Sequence, residues 1–153
     1  MTLAKGKLDD LDRKIILELQ KNARCLYKDI AVKFNTSKST ISNRVNRLID
    51  AGILKLEARV DPFQIENKVA AVIGVNIEGR GHLEVIEEIE KIPGVTSVWI
   101  ATGKYDLFVE VMADSITDLT EFILIEGLDK LQNIKFTESF ILLHSNTKYF
   151  KLY

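Results

Sequence analysis

Residues 37–52 read SKSTISNRVNRLIDAG, and this stretch decides how the first third of the chain folds. Ile41, Val45, Leu48 and Ile49 recur at helical spacing as one apolar stripe, Ser37 offers an N-cap hydroxyl, and Gly52 offers a C-terminal stop. At about 100° per residue, the other side presents Ser39, Thr40, Asn43, Asn46 and Arg47, with Arg44 flanking and Lys38 at the N-terminal end. A helix divided in this way buries one side against its own domain and can offer the other to the major groove of DNA. Asn pairs bidentately with adenine, Arg with guanine, and Ser or Thr hydroxyls serve bases or phosphates.

Upstream, Leu8, Leu11, Ile15 and Leu19 predict a helix over 9–21, with Asp9 or Asp10 as N-cap and Asp12 in the favourable first turn. A second, short helix fits Tyr27–Phe34, where Ile30, Ala31 and Phe34 share a face. Asn35-Thr36 then makes the turn, because Asn tolerates the left-handed conformation. Tyr27 and Lys28, at the start of this second helix, are expected to meet the DNA backbone beside the groove. The three helices make a helix-turn-helix domain over 1–53. A polar helix face with two arginines is more often only a solvated surface. DNA binding is favoured here by the short Asn turn, the absence of acid from residues 30–49, and the charge distribution.

The 153 residues carry a net charge of −1, which hides a division. Residues 1–60 hold thirteen Lys/Arg against seven Asp/Glu, a net of +6, and residues 61–153 hold eight against fifteen, a net of −7. A basic head suits a polyanion, and an acidic remainder keeps the molecule soluble without competing for that contact. An apolar content of 46% is ample for a core. The single cysteine, Cys25, makes no internal disulfide, and MTLAKGKLDD lacks the apolar stretch of a secretory signal, so the reducing cytoplasm is the expected compartment. No apolar run approaches the roughly 18–20 residues that span a bilayer.

Beyond Gly52 the alternation in ILKLEARV predicts a hinge strand, within a linker over 54–63 that ends near Asp61-Pro62. The remainder, 64–153, alternates element types: strand 69–77, helix 82–92 ended by Pro93-Gly94, strand 95–102, strand 106–112, helix 115–131 and strand 134–143. This βαββαβ order, with a hairpin at its centre, predicts a ferredoxin-like four-stranded antiparallel sheet with both helices on one face; the chain as a whole is α+β. Both faces of the sheet read as apolar. Val69, Ala71, Ile73 and Val75 oppose Ala70 and Val72, Leu107, Val109 and Val111 oppose Phe108 and Met112, and Ile141 and Leu143 oppose Phe140 and Leu142. Two helices cover one face, so the other predicts an obligate homodimer at least.

No catalytic or metal constellation is visible. The two histidines, His82 and His144, stand far apart without ligand spacing, and Glu84, Glu87, Glu88 and Glu90 read as the solvated side of an amphipathic helix. No cofactor, metal or membrane partner is expected.

The stretches LDDLDRKIILELQKNAR, TSKSTISNRVNRLIDAGIL, VDP and IPGVTSVWIATGKYDLFVEV together resemble the Lrp/AsnC (leucine-responsive and asparagine-responsive, feast/famine) family of prokaryotic transcription regulators, over nearly the whole chain. The resemblance implies a winged-type helix-turn-helix, a hinge strand, and a ferredoxin-like (RAM-type) domain that dimerises, often assembles into octamers, and binds a small effector, usually an amino acid, between subunits. The family's ligand loop falls on TGKYD, residues 102–106. There Gly103 lets backbone N–H groups approach a carboxylate, Asp106 can pair with an ammonium, and Tyr105 lies between them in the loop. Thr137 and Ser139 resemble the positions that complete the pocket. The bland alternative is a tight turn at Gly103 and an Asp106 that hydrogen-bonds its own loop. Two other readings are an effector-independent architectural DNA-binding protein and a subunit resembling siroheme decarboxylase. The latter enzymes carry histidines in the strand where this chain reads SVWIAT, residues 97–102.

Overall fold

Asp9 and Asp12 start the first helix, α1 (Asp10–Lys21), with a reciprocal capping box: Asp12 N donates to Asp9 Oδ1 at 2.8 Å and Asp9 N donates to Asp12 Oδ2 at 3.2 Å. In this computed structural model the described residues are 7–79, 82–146 and 149–152; the reading of the N-terminus rests mostly on residues 1–6, outside that set. Helix α2 (Tyr27–Lys33) is followed by Asn35 at φ 49°, which turns the chain into α3 (Lys38–Asp50). Ser37 Oγ caps α3 by accepting from Thr40 N at 3.0 Å. Its C-terminus closes through Ile53 N to Leu48 O and Gly52 N to Ile49 O, both 2.9 Å, a pattern that requires the left-handed φ of 66° at Gly52. Ile15, Leu19, Ile30, Ala31, Ile41 and Val45 form the buried core of this unit, with Phe34 and Leu54 packed against it. Leu48 is buried too, whereas Ile49 is exposed: it sits beside the stripe of Ile41, Val45 and Leu48 rather than within it.

The chain divides into two compact units, Met1–Glu57 and Ala58–Tyr153. Residues 54–59 form no strand, contrary to the alternation in their sequence, because among the described residues no strand lies beside them to pair with. Among the described residues, Val60 alone of this stretch pairs as in a sheet, in an isolated antiparallel bridge with Phe150 made by two backbone hydrogen bonds of 2.8 and 2.7 Å. A 3-10 turn, Pro62–Gln64, follows, with the Asp61 carboxylate accepting from Phe63 N at 3.0 Å.

The second unit runs β1 (Val69–Ile77), α4 (His82–Ile89), β2 (Val95–Ile100), β3 (Leu107–Ala113), the short α5 (Ile116–Asp118) and β4 (Ile134–Ile141). The strands lie in the order β2-β3-β1-β4, every pair antiparallel, as the ferredoxin-like reading requires. Helix α4 stops at Ile89 and finishes in tighter bonds, Lys91 N to Glu88 O and Ile92 N to Ile89 O, because Pro93 disfavours α-helix at the residue before it. The segment expected as one helix over 115–131 is three pieces: α5, a π-helical stretch Leu119–Ile125 and a 3-10 turn Leu128–Lys130.

One face of the sheet, with Ala71, Ile73, Val75, Leu107, Val109 and Val111, is buried under Val85 and Ile89 of α4 and Leu119, Ile123 and Leu128 of the later helical segment. The other face is partly roofed by the chain itself. Phe150 is fully buried with Ala70 and Met112, and Tyr105 lies over Gly74, where a Cβ would come within 2.7 Å of its ring. Trp99, Phe136 and Phe140, whose register puts them on that second face, stay exposed.

Candidate DNA interface and effector region

The cap of α3 gathers hydroxyls: Ser37 Oγ stands 2.8 Å from both Ser39 Oγ and Thr40 Oγ1. Lys38, Ser39, Asn43 and Asn46 are exposed and Thr40 is half-buried. The start of α2 meets the start of α3, since Tyr27, Lys28 and Lys38 line one pocket of about 450 Å³ together with Cys25 and Leu26. These side chains present cations, amides and hydroxyls together at one edge of the head.

The two arginines are placed differently from the rest of that face. Arg44 Nη1 donates to Asp9 Oδ2 at 2.5 Å and to Asp12 Oδ1 at 2.9 Å, and Arg47 Nη2 donates to Asp12 Oδ2 at 2.5 Å. The Asp12 side chain is 1% exposed, against 27% for Arg44 and 58% for Arg47, so this carboxylate is buried with two cations upon it. The hydrogen bond from Arg44 holds the Asp9 carboxyl down at about 2, helped by the backbone N–H of Asp12, and Asp9 with Asp12 raises Arg44 in turn. Glu18 is likewise lowered, first by Lys33 and then by Lys21. Sequence reasoning credits Asp9 with capping and Asp12 with a favourable first-turn charge alone. Both also anchor α3, and the available signal was the pair of acids three apart facing a helix that has arginines three apart.

In the second unit the turn between β2 and β3 closes through Ala101 N to Asp106 O at 2.9 Å. Gly103 has φ 128° and open space where a Cβ would stand. Asp106 Oδ2 accepts from Ile77 N at 3.0 Å and Asn76 Nδ2 at 3.4 Å, tying the loop to the end of β1. Asn76 Nδ2 also donates to Lys104 O at 2.8 Å. Tyr105 is buried against Phe108 and Phe140, ring centroids 5.6 and 6.2 Å away, and its hydroxyl has no hydrogen-bond partner. Lys104 Nζ sits 4.8 Å from the Tyr105 ring centroid and 2.7 Å from Glu138 Oε2.

Thr137 pairs with Val75 and Ser139 with Ile73, which places both on the helix-covered side of the sheet, at its β4 edge. Tyr105, over Gly74, is on the opposite side, so one subunit does not bring the five candidate effector residues into a single cluster. A separate pocket of about 240 Å³, among Gly94, Met112, Asp118 and Phe122, contains none of the candidate DNA-binding or effector-binding residues. His144 Nε2 lies 2.7 Å from Asn146 Oδ1, and Glu84, Glu87, Glu88 and Glu90 are exposed. Among the described residues no helix is long and apolar enough to cross a membrane.

Comparison with known proteins matches both units. A winged helix-turn-helix DNA-binding profile covers residues 8–55, and the Lrp/AsnC ligand binding domain profile covers residues 70–150. An uncharacterized HTH-type transcriptional regulator of Pyrococcus horikoshii is 37% identical over 139 residues, covering 90% of this chain and 87% of the relative. The regulatory protein AsnC of Escherichia coli is 33% identical over 141 residues, covering 90% and 91%. The solved structure of E. coli AsnC superposes with a TM-score of 0.73 at 31% identity, covering 94% of this chain and 97% of that one. A Neisseria meningitidis transcriptional regulator solved as an L-Met complex shares the fold, with a TM-score of 0.74 at 24% identity and 94% of each chain covered. These relatives are named as transcriptional regulators, not enzymes. The chain therefore belongs to the Lrp/AsnC family, as a DNA-binding transcription regulator with a helix-turn-helix head and a ligand-binding second domain.

Proposed function

We propose that the regulator reads duplex DNA with the polar side of α3, through Lys38, Ser39, Thr40 and Asn43, while Tyr27 and Lys28 meet the backbone beside the groove. The observation that carries this reading is the division of α3, with Ile41, Val45 and Leu48 buried and Lys38, Ser39 and Asn43 exposed beside the start of α2. An asparagine that reads adenine bidentately is worth about 1–3 kcal/mol of discrimination. Selection of bound sites from random DNA, followed by Asn43→Ala on the selected operator, tests it. The expected result is a loss of roughly tenfold or more at that base position, and unchanged affinity removes Asn43 from the groove.

The protein acts as a homodimer or a larger assembly such as an octamer, with the exposed Trp99, Phe136 and Phe140 covered by another copy. Two heads held about one helical turn, roughly 34 Å, apart would read a pseudo-palindrome. A small amino-acid-type effector binds the second domain near Gly103, Tyr105 and Asp106, with Thr137 and Ser139. The family's ligand-binding profile supports an effector in this domain, and the division of Tyr105 from Thr137 and Ser139 between sheet faces favours a ligand held between copies. Such an effector shifts DNA binding only by preferring one assembly over another. Calorimetry of the intact protein against a panel of amino acids tests this, with Asp106→Asn abolishing the heat of any ligand found. Equal heat from that variant removes Asp106 from the site. Competition between operator and random DNA at fixed salt separates a regulator from an architectural packer.

A further inference from the structure

The Asp9, Asp12, Arg44 and Arg47 cluster has a consequence for recognition. Asp9 and Asp12 are fixed in place by the capping box of α1, so they are not swinging surface acids. Arg44 and Arg47 are one turn apart on α3 and both end on Asp12, which is buried. Turning either guanidinium fully to a phosphate would take from the buried carboxylate the partner of one of its two oxygens, and turning both would leave it without counter-charge, which is costly. Apart from Lys38 at the helix start, the remaining exposed residues of that side, Ser39, Asn43 and Asn46, are neutral. Phosphate contacts add affinity without sequence information, whereas amide and hydroxyl contacts to base edges carry it.

We infer that Asp12, with Asp9, is a specificity-determining residue of DNA recognition: it holds Arg44 and Arg47 on the protein's own carboxylates and withholds two cations from indiscriminate phosphate binding. It is a positioning residue, acting on DNA only through the arginines. The inference rests on the reading of α3 as the DNA-facing helix. Each phosphate contact steepens the dependence of log affinity on log salt by about 0.9. Releasing an arginine therefore strengthens binding to every duplex, steepens that dependence, and lowers the ratio of operator to random affinity.

The test uses the full chain, an operator selected from random DNA, and a random duplex, titrated across salt concentrations with melting curves to confirm folding. Asp9→Asn is the principal variant, since Asn caps a helix as well as Asp and Arg44 loses one of its two carboxylates. The expected result is a severalfold gain for random DNA at low salt, a slope steeper by about 0.5–1, and a severalfold fall in the operator ratio. Asp12→Asn is expected to act in the same direction and further. A folded Asp9→Asn protein with the parental slope and ratio overturns the inference, as does a fall in both affinities at an unchanged ratio. Glu18→Gln removes one ion-paired charge from the same helix without touching either arginine. An equal loss of specificity from that variant would assign the effect to bulk charge and overturn the inference. Lys38→Ala is expected to weaken both duplexes; if it weakens neither, the DNA-facing reading of α3 fails and the inference falls with it.

Discussion

Asp9 shows how one side chain can serve two elements. Its Oδ1 accepts from Asp12 N and caps α1, while its Oδ2 accepts from Arg44 on α3, and the second bond is the larger cause of its depressed pKa. A carboxyl held at about 2 rather than 3.8 contributes stability that is fully present above the unfolded value and is lost as pH falls through the folded one. The melting temperature of the intact protein is therefore expected to drop between pH 4 and pH 2, with a shallower drop in Asp9→Asn, followed by circular dichroism. Gly74 makes the corresponding case for shape. Its missing side chain leaves the space that Tyr105 fills, so Gly74→Val is expected to destabilise the second domain by about 1–3 kcal/mol through overpacking, measured by urea unfolding. Neither contact follows from local periodicity, although the matched spacing of the acids and the arginines is a signal for the first. Asp9 and Arg44 are 35 residues apart and Gly74 and Tyr105 lie on different elements, and local periodicity does not report which distant residues the fold brings together.

Elements with chemical punctuation at their ends were legible. Ser37, Asn35 and Gly52 bounded α3 because each satisfies or terminates backbone groups in a way few other residues do. Ser37→Ala is expected to cost about 1 kcal/mol in thermal unfolding and to disorder the Ser39 and Thr40 hydroxyls that bond to it, weakening operator binding in a gel-shift titration. Strand β1 was equally legible, from its run of small and branched apolar residues between Lys68 and Glu78. The helix expected over 115–131 was not, because its buried residues Leu119, Ile123 and Leu128 step by four and then five. A uniform α-helix would carry Leu128 off the core. The wide π turn, with Glu126 N bonded to Glu121 O, accompanies a register that keeps it in. Alternation in 54–60 likewise predicted a strand, but alternation states only that two sides differ, and a strand also needs a neighbour.

For the whole molecule, the two-faced apolar sheet was readable from strand patterns, but its partial roof was not. Phe150 lies beyond β4, and nothing in its local sequence says that it returns to cover Ala70 and Met112. What remains uncovered is aromatic and sits towards the β4 edge and β2. Phe140→Asp places a charge there, and sedimentation velocity is expected to shift from dimer or larger species to monomer, with operator affinity falling because two heads no longer bind as one unit. A monomeric parent protein would remove that face from assembly. Finally, the bridge between Val60 and Phe150 means that the second domain's way in and way out lie side by side. A module closed on itself like this can be lifted out and set behind another head. A chimaera joined at Glu57–Ala58 should therefore keep its ligand response while its choice of genes follows whichever reading head it was given.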